Sequence, residues 1–182
     1  MFARTERLML RPGWIEDAPA LSRAIGDEAI VRNLAQAPWP YALGDAEAFL
    51  ARRRDALLPD FLLFLRTRGT PRLIGGMGLQ RDAAGEVEFG YWIARDYWGL
   101  GFATEAGRAV MALAKGSLRL RRMVAGHFLD NPASGNVLRK LGFAPTGQIL
   151  ARESRGRGCA VPFAAFAWAA PAARADEPRL AA

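Results

Sequence analysis

Two periods of apolar positions divide the first half of the chain into predicted strands and predicted helices. Strands are predicted where apolar runs are short or alternate with polar residues. These runs are RLMLRP (7–12), FLLFLR (61–66), RLIGGMGL (72–79) and EVEFGYWI (86–93). Only the short segments RTRGTP and QRDAAGE separate the last three runs, and connections of this length imply antiparallel neighbours.

Helices are predicted where apolar residues recur every three or four positions. The first begins after Asp17, whose carboxylate is expected to cap it. A short helix is predicted over 27–34, and the two prolines of QAPWPY (36–41) then require a loop. The segment DAEAFLARRRDALL (45–58) predicts a third helix with its arginines directed outward. Helices thus occupy the chain between the first predicted strand and the second.

The second half of the chain combines the same two patterns and predicts a mixed sheet. It holds a helix over 104–118, a strand over 121–129, a helix over 133–142 and a last strand over 159–169. A strand at 86–93 that is followed by a helix and a strand implies a right-handed crossover, which makes the two strands parallel. We therefore expect a mixed α/β (α+β) fold, with a mostly antiparallel sheet, one parallel pair and flanking helices.

The length of 182 residues suits one domain, predicted over 1–170, with a buried core. The segment PAARADEPRLAA (171–182) is small, polar and proline-bearing, and we expect it to be disordered. Apolar runs stay well short of the roughly 20 residues of a membrane span, and a secretion signal is not expected. Cys159 is the single cysteine, so an internal disulfide is excluded and a cytoplasmic location is expected.

A net charge of +7, from 25 basic and 18 acidic side chains, leaves two interpretations open. Almost every cation is arginine, which is typical of a G+C-rich coding sequence. The charge also suits a phosphorylated ligand or a nucleic acid, which a positive field attracts. The basic clusters RRR (52–54) and RLRR (119–122) lack interleaved aromatic residues, so contact with nucleic acid or the ribosome is allowed but unsupported.

The segment RDYWGLGFATEA (95–106) places Gly99 and Gly101 directly before a predicted helix. The first amides of a helix have no internal partner and lie at the positive end of its dipole, so they can bind a phosphate. Glycine allows the backbone to curl and approach such an anion closely. The spacing is neither a dinucleotide fingerprint nor a P-loop, and an ordinary loop before a helix would also explain it.

Four segments occur in the order and spacing of one family. They are EFGYWI (88–93), WGLGFATEA (98–106), NPAS (131–134) and KLGF (140–143). Together they resemble the GNAT superfamily of N-acetyltransferases and, within it, the RimJ/RimL-type branch that acetylates the N-termini of ribosomal proteins. The opening TERLMLRP also resembles the first strand of that branch, so the likeness runs from about residue 4 to 169.

The resemblance implies the GNAT fold and acetyl-CoA as co-substrate. The amides around Gly101 would bind its diphosphate, although Trp98 stands where the superfamily usually has Gln or Arg. Arg95, Arg139 and Lys140 are candidates for its outer phosphate, or else solvated surface charges. The implied acetyl-CoA contacts are Trp92, Ile93, Ala94, Trp98, Gly99, Leu100, Gly101, Phe102, Ala103, Thr104 and Asn131.

Acetyl transfer to an amine needs a neutral amine, a polarised thioester carbonyl and a proton for the departing thiolate. An α-amine titrates near ~8 and a lysine near ~10.4, so a general base helps at neutral pH. Glu88 is the candidate base, directly or through water; the alternative is a solvent-facing strand glutamate. Tyr91 either shares a proton chain with Glu88 or only packs in the strand. A backbone N–H near Ile93 is expected to hold the carbonyl oxygen.

Ser134 is the candidate partner of the thiolate. Many relatives place a tyrosine at the position of Leu138, which cannot donate a proton, and this branch is known for a serine one turn earlier on the same helix face. The alternative role for Ser134 is a helix N-cap. Cys159 is interpreted as an inert thiol and His127 as structural. No His, Cys and carboxylate cluster has the spacing of metal ligands, so no metal is expected.

The acceptor amine stays open at this point. A protein N-terminal α-amine, an antibiotic or polyamine amine, and an amino acid are all candidates, and a homodimer is allowed. Acceptor choice is expected to come from residues 17–58 and the final hairpin, where Trp39 and Tyr41 suit a peptide or a ring. A non-catalytic coenzyme-A-binding module is the alternative from another class of protein.

Overall fold

The structure, a computed structural model, describes residues 1–82 and 84–171. Apart from Pro171, the predicted disordered tail lies outside the described residues. The strands are β1 (Ala3–Arg4), β2 (Leu8–Arg11), β3 (Asp60–Leu65), β4 (Arg72–Arg81), β5 (Val87–Ile93), β6 (Arg122–Phe128), β7 (Ala144–Ser154) and β8 (Cys159–Ala169). The helices are α1 (Ala18–Ile25), α2 (Glu28–Val31), α3 (Leu43–Ala51), α4 (Phe102–Gly116) and α5 (Pro132–Lys140).

All eight strands form one sheet, in the order β1-β2-β3-β4-β5-β6-β8-β7. Every neighbouring pair is antiparallel except β5 and β6, which α4 connects as a parallel pair. This arrangement confirms the predicted mixed sheet. A parallel pair needs a long crossover, and the helical segment between Ile93 and Arg122 provides it.

The parallel pair is joined at one position, where Glu88 lies opposite Val124. Beyond it, β5 continues to Ile93 and β6 continues to Phe128 without pairing to each other. Each strand is still held on its outer edge, β5 by seven partners in β4 and β6 by seven partners in β8. The two strands therefore diverge into a V-shaped gap in the middle of the sheet.

The two faces of the sheet bury separate apolar clusters. Phe89 and Ile93 of β5 belong to the larger cluster, which includes α4 and α5 residues such as Val110 and Leu138. Trp92 points to the other face and packs against the cluster that α1 and α3 form with β3. Successive side chains of β5 thus alternate between the two faces of the sheet, so β5 borders the gap with side chains on both faces.

The structure differs from the sequence prediction in one strand and one helix. The strand β7 was not predicted, because its first eight residues are exposed and show no alternation of apolar and polar positions. The helix predicted over 45–58 ends at Ala51, where Arg52 is already extended. Arg52 and Arg54 do not point into solvent; each donates to a carboxylate oxygen of Asp60 at 2.7 Å.

Asp17 precedes α1 as predicted, but its side chain does not cap that helix. Its two oxygens accept from the Arg11 guanidinium at 2.7 Å each, and one also accepts from the Trp14 N–H at 2.8 Å. Burial alone would raise the pKa of Asp17, but Arg11 and Trp14 outweigh it and hold the pKa below its usual value. The carboxylate therefore fixes the turn between β2 and α1.

Candidate active site

The edge of β5 presents free main-chain groups to the gap. The N–H of Ala94 donates to the carbonyl of Ile74 in β4 at 2.8 Å. Hydrogen-bonded positions alternate along an antiparallel pair, so Trp92 also bonds to β4 and the main chains of Tyr91 and Ile93 face β6. Because β6 has diverged here, the N–H groups of Tyr91 and Ile93 point into the gap.

A tight segment that we call the glycine loop, Trp98–Thr104, connects the end of β5 to α4. The Trp98 indole N–H donates to the Ile93 carbonyl at 2.7 Å, which fixes the start of the loop on the strand. Gly99 and Gly101 have φ values of +76° and +82°, a backbone region that other residues rarely adopt. Gly101 is the N-cap of α4 and supplies no side chain to its first amides.

The amides of the glycine loop are free. Among the described residues, no backbone N–H from Gly99 to Thr104 donates to a protein oxygen; the next amide, that of Glu105, bonds to the Gly101 carbonyl at 3.0 Å. These N–H groups lie at the positive end of a 15-residue helix, α4. A curled run of free amides at such a helix start is suited to an anion with several oxygens.

Glu88 is buried and paired, with 8% of its surface exposed. Its two carboxylate oxygens accept from Nη1 and Nη2 of Arg152 on β7, at 2.6 and 2.9 Å. The Arg152 guanidinium lies 4.7 Å from the ring centre of Phe163. The interpretation of Glu88 as a solvent-facing strand residue is therefore wrong. Arg152 was missed because no sequence pattern links positions 88 and 152.

Tyr91 lies with Ser134 and not with Glu88. Its hydroxyl donates to Ser134 Oγ at 2.9 Å, whereas alternation along β5 places Glu88 on the opposite face. Burial raises the pKa of the Tyr91 phenol to about 12, and the hydrogen bond to Ser134 offsets part of that effect. Within residues 1–82 and 84–171, no hydrogen bond joins Tyr91 to Glu88, so the suggested proton chain has no direct link between them.

Ser134 is not the N-cap of α5. That position belongs to Asn131, whose side-chain oxygen accepts from the Ser134 N–H at 3.3 Å. The Ser134 hydroxyl keeps its own hydrogen while it accepts from Tyr91, so it can donate to a further group. Leu138, one turn later, is 1% exposed and belongs to the core.

Three of the remaining candidates, His127, Arg95 and Arg139, have structural partners, and Cys159 is exposed. His127 bonds through Nδ1 to the carbonyl of Phe128 at 2.9 Å, and its ring fills the space beside Gly135. Cys159 is exposed at the start of β8. Arg95 lies over the Trp98 ring at 4.3 Å, and Arg139 donates to Asn136 at 3.2 Å.

Neither a metal centre nor a membrane segment is found in the part of the chain that the structure describes. Across residues 1–82 and 84–171, no three His, Cys, Asp or Glu side chains are grouped so that they could hold a metal ion. Over the same ranges, none of the helices has the length and apolar character needed to cross a membrane.

The tip of the β7–β8 hairpin is fixed to the segment that follows α2. Ser154 Oγ donates to the Leu34 carbonyl at 3.1 Å, and the Arg155 N–H donates to the Ala35 carbonyl at 2.9 Å. Asp130 pairs with Arg32 at 2.9 Å and with Arg157 at 2.8 Å. These contacts join the hairpin tip to the segment after α2.

The comparisons with known proteins agree with this geometry. The sequence model of the acetyltransferase (GNAT) domain family matches residues 7–144, which are most of the chain. The chain therefore belongs to the GNAT acetyltransferase family, and it is an acyltransferase. The resemblance read from the four motifs is confirmed at this level.

Individual relatives are distant in sequence but close in fold. The uncharacterized N-acetyltransferase p20 of Bacillus licheniformis is 28% identical over an alignment of 163 positions, which covers 84% of this chain and 88% of the relative. A GNAT-family acetyltransferase from Bacillus anthracis superposes with a TM-score of 0.77 at 21% identity, covering 93% and 98% of the two chains. RimL, a ribosomal L7/L12 alpha-N-protein acetyltransferase solved with coenzyme A, gives a TM-score of 0.75 at 18% identity over 93% and 98%.

Proposed function

We propose that this chain is an N-acetyltransferase that moves the acetyl group of acetyl-CoA to a primary amine by direct attack. The observation that carries the proposal is the run of free backbone N–H groups from Gly99 to Thr104 at the start of α4. In the proposed complex these amides bind the diphosphate of the coenzyme. The fold likeness to RimL, which was solved with coenzyme A, supports this assignment.

The thioester arm of the coenzyme is proposed to lie in the gap between β5 and β6. The free N–H groups of Tyr91 and Ile93 face this gap, as the register of β4 and β5 indicates. The Ile93 N–H is the proposed donor to the thioester oxygen as it gains negative charge. Trp92 contributes its side chain alone, because its main chain pairs with Gly76.

In the proposed reaction, the amine nitrogen attacks the thioester carbon, the C–N bond forms and the C–S bond breaks. Ser134 donates a hydrogen bond to the departing thiolate, and the Tyr91 hydroxyl orients it. A serine hydroxyl is a much weaker acid than a thiol, so we assign it hydrogen bonding and not complete proton transfer. The thiolate can leave unprotonated or take its proton from water.

The proton of the attacking amine is proposed to pass to Glu88 through water. The ion pair with Arg152 fixes the Glu88 carboxylate at the end of the gap where β5 and β6 still pair. An α-amine with a pKa near ~8 is partly neutral at pH 7, so this base accelerates the reaction without being essential.

We propose a peptide N-terminal α-amine as the acceptor. Polyamines and aminoglycosides carry several positive charges, and the buried carboxylate of Glu88 is already neutralised by Arg152. A peptide needs instead an open cleft with apolar contacts, and Trp39 before α3 is 41% exposed. The role of RimL as a ribosomal L7/L12 alpha-N-protein acetyltransferase supports the same acceptor class.

A thiol-release assay with acetyl-CoA tests the proposal. The acceptors are short peptides with free N-termini, the same peptides with blocked N-termini, spermidine, an aminoglycoside and free amino acids. We expect release with the free peptides and none with the blocked ones, and mass spectrometry should locate the acetyl group on the α-amine. Release only with a small molecule would overturn the peptide assignment. Coenzyme binding without release for any amine would favour a non-catalytic binding module.

A further inference from the structure

A turn near the start of the chain holds the glycine loop from outside. Arg7, between β1 and β2, donates from Nε to Glu105 Oε2 at 2.6 Å and from its main-chain N–H to Oε1 at 2.9 Å. Its Nη1 donates to the Leu100 carbonyl at 3.1 Å, and its guanidinium carbon lies 4.3 Å from the ring centre of Phe102. Thr5 Oγ1 adds a 2.5 Å hydrogen bond to Glu105.

One nitrogen of the Arg7 guanidinium is free beside the N-cap of α4. Nε and Nη1 are bonded to protein oxygens, but Nη2 has no hydrogen-bond partner within residues 1–82 and 84–171. Nη2 is also the heavy atom nearest to the place where a Cβ on Gly101 would lie, at 3.6 Å. A permanently charged donor thus lies next to the free amides of the glycine loop.

The carboxylate of Glu105 explains why anion binding at the glycine loop needs the positive charge of Arg7. A carboxylate in the first turn of α4 repels a phosphate that binds at the same helix start. Burial would raise the pKa of Glu105, but the hydrogen bonds from Thr5 and Arg7 outweigh it, so its pKa is lowered and the group stays ionised. The Arg7 guanidinium lies between this negative charge and the glycine loop, and it cancels the repulsion.

We infer that Arg7 is a binding residue for the diphosphate of acetyl-CoA, which it contacts through Nη2 while it holds the glycine loop through Leu100 and Glu105. This inference rests on the proposed function, because the same anion is involved. The sequence signal is an arginine three residues before a buried β2 position, Leu10, far from the glycine loop along the chain. Only the fold brings the two together.

The test compares two acetyl donors in the R7Q variant. Acetyl-CoA carries the diphosphate, and S-acetylpantetheine has the same thioester arm without any phosphate. A hydrogen bond to a charged group is worth about a tenfold to hundredfold change in affinity. We expect R7Q to raise KM for acetyl-CoA at least about tenfold with little change in kcat. The kcat/KM for S-acetylpantetheine should be unchanged.

Arg66 provides the matched control. It is exposed and donates to the main-chain carbonyls of Thr5 and Glu6, at 3.1 and 2.8 Å, so it supports the same turn from the other side. The R66Q variant should leave the preference for acetyl-CoA over S-acetylpantetheine intact. Adding E105Q to R7Q should restore part of the affinity for acetyl-CoA, because it removes the uncompensated negative charge.

The outcomes separate the inference from the function on which it rests. If R7Q lowers the rates with both donors equally, or with neither, the diphosphate contact is wrong while the transferase activity stands. If the wild-type protein uses neither donor and calorimetry shows no coenzyme A binding, the proposed function is wrong and the inference fails with it. Calorimetry of coenzyme A binding to wild type, R7Q and R66Q gives the same comparison without turnover.

Discussion

Ser134 and Tyr91 act at the residue scale as one hydrogen-bonded unit. Because Tyr91 donates to Ser134 Oγ at 2.9 Å, the serine hydrogen is directed elsewhere, and in the proposed reaction it points to the thiolate. We expect S134A to lower kcat, and Y91F to lower it about fivefold because one hydrogen bond of about 1 kcal/mol is lost. The KM for acetyl-CoA should change little in both variants.

A double-mutant cycle checks this pairing. If Tyr91 works through Ser134, Y91F should have almost no further effect in the S134A background, so the two losses in kcat are not additive. Fully additive losses would show that Tyr91 acts independently, for example by packing against Phe89, whose ring centre is 6.0 Å away. Steady-state kinetics with a saturating peptide acceptor is sufficient.

Glu88 allows a prediction with a pH signature. Removal of the base in E88Q should lower kcat at pH 7 by about a hundredfold, the lower end of the usual range for general bases. The deficit should narrow above pH ~8, because the α-amine then loses its proton without help. E86Q is the control, because Glu86 lies directly before β5 and forms an exposed ion pair with Arg122 at 3.0 Å. A deficit that is constant with pH contradicts the role of Glu88 as base.

At the scale of elements, the start of α4 depends on the backbone of Gly101. Its φ of +82° is costly for any residue with a Cβ, by about 1 kcal/mol, although the added Cβ would meet only Arg7 Nη2, at an ordinary contact distance of 3.6 Å. We expect G101A to weaken coenzyme A binding and to lower the melting temperature. G44A is the matched control, because Gly44 lies in α3 with ordinary φ and no atom near the added Cβ. That variant should be neutral or more stable.

Calorimetry and thermal melts of G101A and G44A measure the effects of the two substitutions on coenzyme A affinity and on stability. Unchanged coenzyme A affinity in G101A would show that the loop conformation is not needed for the ligand, and it would remove the main support for the donor site. A loss of affinity in G44A as large as that in G101A would indicate a general loss of folded protein.

Element type could be predicted where burial imposes a period on the sequence. The alternating run of β5 and the helical spacing of α4 have this property, because each lies against the larger core cluster. The strand β7 has no such period, because Ala144–Ala151 is almost wholly exposed, and it was missed. The motif positions Glu88, Gly101 and Ser134 were found through local patterns.

The partners of these motif residues could not be found in the same way. Arg7, Arg152 and the contact between Tyr91 and Ser134 all depend on pairings between distant segments. A motif shows which residue types occur close together in the chain. It carries no information on which side chain from another strand completes them, since that depends on register and strand order.

At the scale of the whole molecule, three carboxylates join distant parts of the chain and each has a lowered pKa. Asp17 joins β2 to α1 through Arg11, Glu105 joins the turn before β2 to α4, and Asp130 joins the segment after α2 to the hairpin tip. Hydrogen bonding from Arg157 is the main cause for Asp130; for Asp17 and Glu105, burial acts in the opposite direction and is outweighed by their donors.

The lowered pKa values predict how stability depends on pH. A carboxylate whose folded pKa is below its unfolded value, about 3.9 for Asp and 4.3 for Glu, stabilises the fold at pH values above the unfolded pKa. That contribution is lost as pH falls through the folded pKa. We therefore expect a melting temperature that is level from about pH 7 to 5 and falls steadily below pH 4. Circular dichroism melts across this range measure it.

The D17N variant isolates one of these contributions. Asp17 is largely buried and accepts three hydrogen bonds, so replacing its charge should cost about 1–3 kcal/mol at pH 7. Near pH 2 the wild-type carboxyl is itself increasingly protonated, and the difference in melting temperature between the two proteins should shrink. D55N is the control, because Asp55 forms an exposed 3.3 Å pair with Arg81. A D17N deficit of equal size at pH 7 and pH 2 would mean that packing at Asp17, and not its charge, holds β2 against α1.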